Sequence, residues 1–168
     1  GAVADVALRA LHLCSGYGGF ELAFRLAGLD TRTVGHVERE AHAAAVLVAR
    51  MEDEALDRAP IWDDLTTFDG AAWRGRVDIV TAGFPCPDFS AAGKRQGAAG
   101  EHWIWPDIAR IIREVAPRMV LLENVPGVVT GRGERGGCVC GGTGGWRRFD
   151  HYSTKRAPWH ATVRAVLG

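Results

Sequence analysis

Cys86 stands between two prolines in "TAGFPCPDFSAAGKR", just after an apolar run, and Glu123 interrupts a second apolar run in "MVLLENV". A free thiol titrates at roughly 8.5 and reacts as its thiolate, so a cysteine aimed by a stiff turn is a candidate nucleophile. Pro85 and Pro87 restrict that turn and with it the aim of the thiol. The commoner fate of a cysteine is a buried, inert one, and its position in the fold has to decide. If the two apolar runs are neighbouring strands, Cys86 and Glu123 share one crevice, where a nucleophile and a proton donor stand together.

A second group of residues reads as a cofactor site. "CSGYGGFE" sets Gly16, Gly18 and Gly19 where the backbone can turn tightly and approach a ligand, although an ordinary strand-to-helix turn looks the same. A dinucleotide fingerprint wants a third glycine at the place of Glu21, which disfavours NAD and favours another adenosine-bearing cofactor. Glu38 in "HVERE" ends an apolar run, where a carboxylate can accept from ribose hydroxyls. Asp63 and Asp64 in "IWDDL" are placed either to accept from an adenine amine or to cap a helix or close a solvated turn. Cys138 and Cys140 in "GGCVCGG" look like half of a zinc site. Such a site takes four ligands, however, and the spacing to His151 and His160 completes no pattern, so no metal is expected.

The elements that must position these residues are read from periodicity. "VALRALHLC", "TVGHVE", "RVDIVTAG" and "RMVLLENV" read as buried strands; "FELAFRLAG", closed by Gly28, "REAHAAAVLVARMEDEALD" and "PDIARIIREVAP", stopped by Pro117, read as helices. Strands alternating with helices predict an α/β fold with a mostly parallel sheet. Residues 1–129 form the expected α/β core, 130–156 a glycine-rich basic loop or insertion, and "APWHATVRAVLG" (157–168) a short terminal helix.

Composition sets the outer bounds. The chain has 168 residues, one domain's worth, and with 47% hydrophobic residues it can bury a core. A formal net charge of +0 excludes a strongly basic protein but not a local basic patch. "VADVALRALHLC" is interrupted by Asp5 and Arg9 and makes a poor secretory signal, and no apolar run is long enough to span a bilayer. Four unevenly placed cysteines do not form a disulfide framework, which points to a cytoplasmic protein.

"LHLCSGYGGFELAF", "HVERE", "DDL", "GFPCPDFS" and "LLENVPG" occur in the order and rough spacing of the cytosine-C5 DNA methyltransferases, and from about Ala7 to Gly127 the chain resembles that family. The resemblance implies a Rossmann-like S-adenosylmethionine-dependent methyltransferase fold, incomplete at the C-terminus, with double-stranded DNA as partner and no membrane. It implies that Cys86 attacks C6 of a flipped cytosine and that Glu123 holds N3 and the exocyclic amine. Cys14, Ser15, Gly16, Tyr17, Gly18 and Gly19 would face the cofactor's methionine part, Glu38 its ribose, and Arg39, Asp64 and Leu65 its adenine. Pro85 would shape the cysteine turn and line the cofactor site, with Asn124 and Val125 as structural support. Ser90, Lys94 and Arg95 become candidate phosphate contacts, set against a merely solvated loop. Trp105, like Trp103, falls in a region lining the cofactor pocket, with core packing at a helix start as the alternative.

This sequence also departs from the family pattern. Cys14 stands where the family usually has Phe, Arg39 where an apolar or aromatic residue often covers the adenine, Pro87 in place of Gln, and Glu101 where Arg is frequent. The family's later arginine-bearing motif, target recognition region and closing cofactor motif have no counterpart here. The expectation is therefore little turnover by this chain alone, with the missing parts supplied by further sequence or a second polypeptide. Two other readings stand beside it: a non-catalytic S-adenosylmethionine-binding or interaction module, and a fragment of a transfer-RNA cytosine-C5 methyltransferase.

Overall fold

The computed structural model describes residues 7–84 and 104–123 and the backbone of 161–164. Its elements run β1 (Leu8–Leu13), α1 (Gly19–Leu26), β2 (Thr31–Val37), α2 (Ala41–Glu52), β3 (Ile61–Trp62), a single 3-10 turn (Ala71–Trp73), β4 (Ile79–Gly83), α3 (Trp105–Val115), β5 (Met119–Glu123) and β6 (Ala161–Arg164). They build a 6-stranded sheet in the order β3-β2-β1-β4-β5-β6. From β3 to β5 every pairing is parallel, and β6 joins β5 antiparallel. The α/β class and the mostly parallel sheet agree with the sequence.

Side chains alternate across a strand, so β1 feeds two interfaces. Leu11 and Leu13 join Val37, Val80, Ala82 and Val120 against Ile108, Ile111, Ile112 and Val115 of α3. Those four positions recur at helical spacing, and all are buried. The opposite face of β1 carries Ala10, which packs with Ile79 and with Phe24 of α1. Leu47 and Met51 of α2 close a third cluster with Leu56, Leu22 and Ile61.

Two expectations need correction. The segment 157–168 does not contain a helix at Ala161–Arg164: that stretch is an edge strand on β5, with Leu121 opposite Val163. β-branched Thr162 and Val163 suit a strand, and the ladder offered by β5 outweighs helical propensity in so short a piece. The alanine-rich helix is also shorter than "REAHAAAVLVARMEDEALD". Glu40 is its cap, extended, with its carboxylate accepting from the amides of His42 and Ala43. The helix stops at Glu52 because Glu54 turns left-handed (φ 60) and Leu56 folds back into the core. The expected loop at 130–156 lies outside the described residues.

A buried polar chain crosses the α1 side of the sheet. Glu21 of α1 is 1% exposed, an expensive place for a carboxylate unless it is fully paired. Its Oε1 accepts from the amide of Asp57 (2.5 Å) and from Arg25 (3.1 Å), and its Oε2 from the hydroxyl of Thr33 (2.7 Å). Thr33 spends its one hydrogen on Glu21, so its oxygen accepts from His12 Nε2 at 3.0 Å. His12 therefore carries its proton on Nε2, and its Nδ1 accepts from Thr81 at 2.7 Å. Burial, reinforced by the neighbouring His36, pushes His12 down to about 3. Burial also lowers His36 to about 4, partly opposed by Asp57.

Both histidines are thus neutral in the folded chain and titrate near 6.5 when unfolded. Between those values the unfolded state binds more protons, so stability is complete above pH ~6.5 and falls as the pH drops towards 4. The depressed carboxyls of Glu40, Asp64 and Asp78 act mainly lower, through the ordinary carboxylate range. Thermal denaturation should show Tm falling from pH 7 to 5 with an uptake of about one proton per histidine, and His36→Gln should remove about one of the two. A flat profile over that range would contradict the buried neutral pair.

Candidate functional site

The parallel register levels the strand ends. Leu13 lies opposite Val37 on one side and Ala82 on the other, Val37 opposite Trp62, and Gly83 opposite Glu123. The residues just past each strand therefore emerge at a single edge of the sheet, the edge where open α/β sheets bind ligands. In sheet order these are Asp63 and Asp64, then Glu38 and Arg39, the turn Cys14–Gly19, Phe84, and Glu123 at the end of β5.

The glycine turn is held from several sides. Cys14, Gly16 and Gly18 all have positive φ (51, 53 and 83), which glycine tolerates and cysteine adopts only under constraint. The Ser15 amide donates to Val37 (3.2 Å) and its hydroxyl to the His12 carbonyl (2.8 Å), while His36 Nδ1 meets that hydroxyl at 3.0 Å. Arg50 of α2 donates to the Tyr17 carbonyl. A Cβ on Gly18 would come 2.7 Å from Leu56 Cδ1, whereas one on Gly19 would meet nothing within 4 Å. The turn is packed from below at Gly18 and open at Gly19, which fits a cradle for a ligand that approaches the backbone.

Glu38 sits just past β2 with both oxygens in use: Oε2 accepts from the Gly16 amide (2.7 Å) and Oε1 from that of Glu40 (2.8 Å). Each oxygen keeps a further lone pair for a hydroxyl donor. Asp64 Oδ1 accepts from the Thr66 amide at 2.8 Å, so it closes a tight turn, the plainer of the two roles its sequence allowed. That bond, the Thr66 hydroxyl and the charge of Arg39 hold its carboxyl below the usual range. Leu65 is half-buried against the main core. Cys14 packs there too, and burial, with the charge of Glu38 adding to it, pushes its thiol up to about 12. It is protonated at neutral pH and is no nucleophile.

β4 and β5 are neighbours, as the pairing of Cys86 with Glu123 required. A Cβ on Gly83 would stand 3.3 Å from Phe20 Cε2 and 3.5 Å from Glu123 Oε2, so an aromatic ring and a carboxylate flank the last residue of β4. Glu123 itself is exposed, although it closes an apolar run. Trp105 stacks on Phe84 (centroids 6.0 Å, 28°) and packs against the core, which favours the packing reading for this ring. Tyr17 is exposed, edge-on to His42 at 6.1 Å.

Cys86, Pro85, Pro87, Ser90, Lys94, Arg95, Glu101, Trp103, Asn124 and Val125 lie outside the described residues, as do Cys138, Cys140, His151 and His160. Among the described residues no group of three or more His, Cys, Asp or Glu could hold a metal ion. Phe20, Arg50 and His36, the partner of Ser15, were missed in the sequence. Their signal was faint: an aromatic directly after the glycines, and polar residues at inward positions of otherwise apolar strands.

The profile of the C-5 cytosine-specific DNA methylase family matches residues 8–136. Type II methyltransferase M.NgoMIV of Neisseria gonorrhoeae is 34% identical over 119 residues, which are 71% of this chain and 36% of that protein. Type II methyltransferase M.CviJI of Paramecium bursaria Chlorella virus IL3A is 34% identical over 120 residues, 71% of this chain and 30% of its own length. The chain thus spans about a third of the curated relatives it matches. The crystal structure of S. pombe Dnmt2 methyltransferase shares the fold, with a TM-score of 0.54 at 22% identity over 73% of this chain and 36% of that one.

The two glycines should separate stability from ligand binding. Gly18→Ala, with positive φ and no room, should cost ~1–3 kcal/mol in urea denaturation. Gly19→Ala should leave stability within about 0.5 kcal/mol yet weaken binding of S-adenosylhomocysteine in calorimetry. Undiminished binding by Gly19→Ala would contradict the cradle.

Proposed function

The chain belongs to the C-5 cytosine-specific DNA methylase family, and from that premise we propose that it supplies the cofactor-binding and nucleophilic part of an enzyme methylating C5 of cytosine in DNA. The observation that carries this reading is the levelled sheet edge. It sets the glycine cradle, Glu38 and the turn of Asp64 in one row with Glu123, and Glu123 lies beside Gly83, three residues before Cys86 in the sequence.

In this reading Glu38 accepts from the ribose hydroxyls of S-adenosylmethionine, Asp64 faces the adenine amine with Arg39 beside it, and the Gly16–Gly19 backbone takes the methionine part. The open Gly19 and the acceptor capacity left on Glu38 suit such a ligand. The Cys86 thiolate forms a bond to C6 of a cytosine drawn out of the duplex. The Glu123 carboxyl group lies against N3, keeps a proton there, and offsets the negative charge that the addition creates. C5 is then enamine-like. S-adenosylmethionine, when bound, would supply an electrophilic methyl group to C5 and leave as the neutral thioether S-adenosylhomocysteine. The C5 proton leaves to a base, the C6–S bond breaks, Cys86 departs as thiolate, and the proton held at N3 returns to Glu123. Ser90, Lys94 and Arg95 contact DNA phosphates on this reading. A place in restriction–modification accords with the names of the Type II relatives. No helix among the described residues is long and apolar enough to cross a membrane.

DNA carrying 5-fluorocytosine blocks the final elimination, because fluorine at C5 does not leave as a proton does. The chain should be incubated with such DNA and S-adenosylmethionine, alone and with the segment of a relative that it does not span. A covalent complex mapping to Cys86 and lost in Cys86→Ser is expected. No complex in either arm, or one that survives Cys86→Ser, would overturn the role of Cys86.

A further inference from the structure

Arg110 lies on α3, a helix with no part in the chemistry above. Its guanidinium reaches across to the turn that comes after β3. Nη2 donates to the carbonyls of Leu65 (2.6 Å) and Thr66 (3.5 Å), and Nη1 to the carbonyl of Phe68 (3.0 Å) and to Glu114 Oε2 (2.9 Å). Asp107 adds a longer contact at 3.6 Å. Glu114 Oε2 also accepts from the Gly70 amide at 3.0 Å, and a Cβ on Gly70 would come 2.9 Å from that oxygen.

The turn's own bonds give it shape. Thr66 donates its amide to Asp64 Oδ1 (2.8 Å), the Thr67 hydroxyl donates to the Asp64 carbonyl (3.3 Å), and Trp62 Nε1 donates to Thr67 (3.1 Å). Of these only the Trp62 bond reaches the sheet, tying Thr67 to β3, and none reaches α3. Phe68 anchors its far end by burial, at 4% exposed, and Arg110 grips the two residues directly after Asp64. The chain of contacts is continuous: Arg110 holds the Leu65 and Thr66 carbonyls, and the Thr66 amide holds the Asp64 carboxylate.

We propose that Arg110 is a positioning residue for the adenine end of the cofactor site, acting through Thr66 on Asp64. This rests on the reading of Asp64 as the adenine acceptor. A planar guanidinium can reach several carbonyls in one plane, which a lysine ammonium on a single flexible stem does not reproduce.

A double-mutant cycle on the 168-residue chain tests it. S-adenosylhomocysteine affinity would be measured by calorimetry for wild type, Arg110→Met, Asp64→Ala and the double variant. Each single change should weaken binding ~10-fold, the worth of one or two hydrogen bonds to a charged group, and the double should be no weaker than either single. Arg110→Lys should recover only part of the affinity; should Arg110→Met fail to fold, Arg110→Lys takes its place in the cycle. Additive losses would mean that Arg110 supports the fold alone and would overturn the proposal. Loss with Asp64→Ala but wild-type binding by Arg110→Met would overturn it while sparing the role of Asp64. Wild-type binding by Asp64→Ala would remove the reading on which it rests.

Discussion

The parallel register around β1 is the constraint on which the site depends, and the polar chain through His12 is what specifies it. Apolar strands of similar composition can slip by one residue, and each slip turns every side chain to the other face. His12 meets Thr81 on β4 and Thr33 on β2 with one ring nitrogen each, and Thr33 passes the bond on to Glu21. A slip would leave several buried polar groups unpaired, at ~1–3 kcal/mol each. The polar chain also joins α1 to the sheet directly behind the glycine turn, so the feature that sets the register also places the cradle.

The level edge carries a consistent chemistry. Glu38, Asp63, Asp64 and Glu123 bring four carboxyl groups to one edge, and Glu38 is itself oriented by the Gly16 amide. Cys14 is held in a strained backbone conformation with its thiol pushed up to about 12, which keeps it an uncharged packing residue. Under the proposed function the nucleophilic role falls to Cys86. Gly83 keeps a side chain from intruding between Phe20 and Glu123, and so preserves the space beside the carboxylate.

Much of this was legible in the sequence because local signals agreed with the final context. The apolar runs became β1, β2, β4 and β5, the isoleucines at helical spacing became the buried stripe of α3, and the pairing of β4 with β5 agreed with their order. The failures share a physical cause. Ala161–Arg164 is too short to choose a helix by itself and takes the ladder that β5 offers. The end of α2 is set by Leu56 returning to the core, a tertiary contact that helical propensity does not report. The hydrogen-bond chain of His12, Thr33, Thr81 and Glu21 draws on four elements, and residues so far apart are connected only once the strand order is known. The grip of Arg110 on residues 65–68 was hidden in the same way, since its partners are backbone carbonyls.

The most direct measurement is a crystal structure of the chain with S-adenosylhomocysteine bound. The adenine is expected beside Asp64 and Arg39, the ribose hydroxyls on Glu38, and the sulfur past Gly19 toward Gly83 and Glu123. A ligand bound away from this sheet edge, or a ribose that makes no contact with Glu38, would contradict that placement.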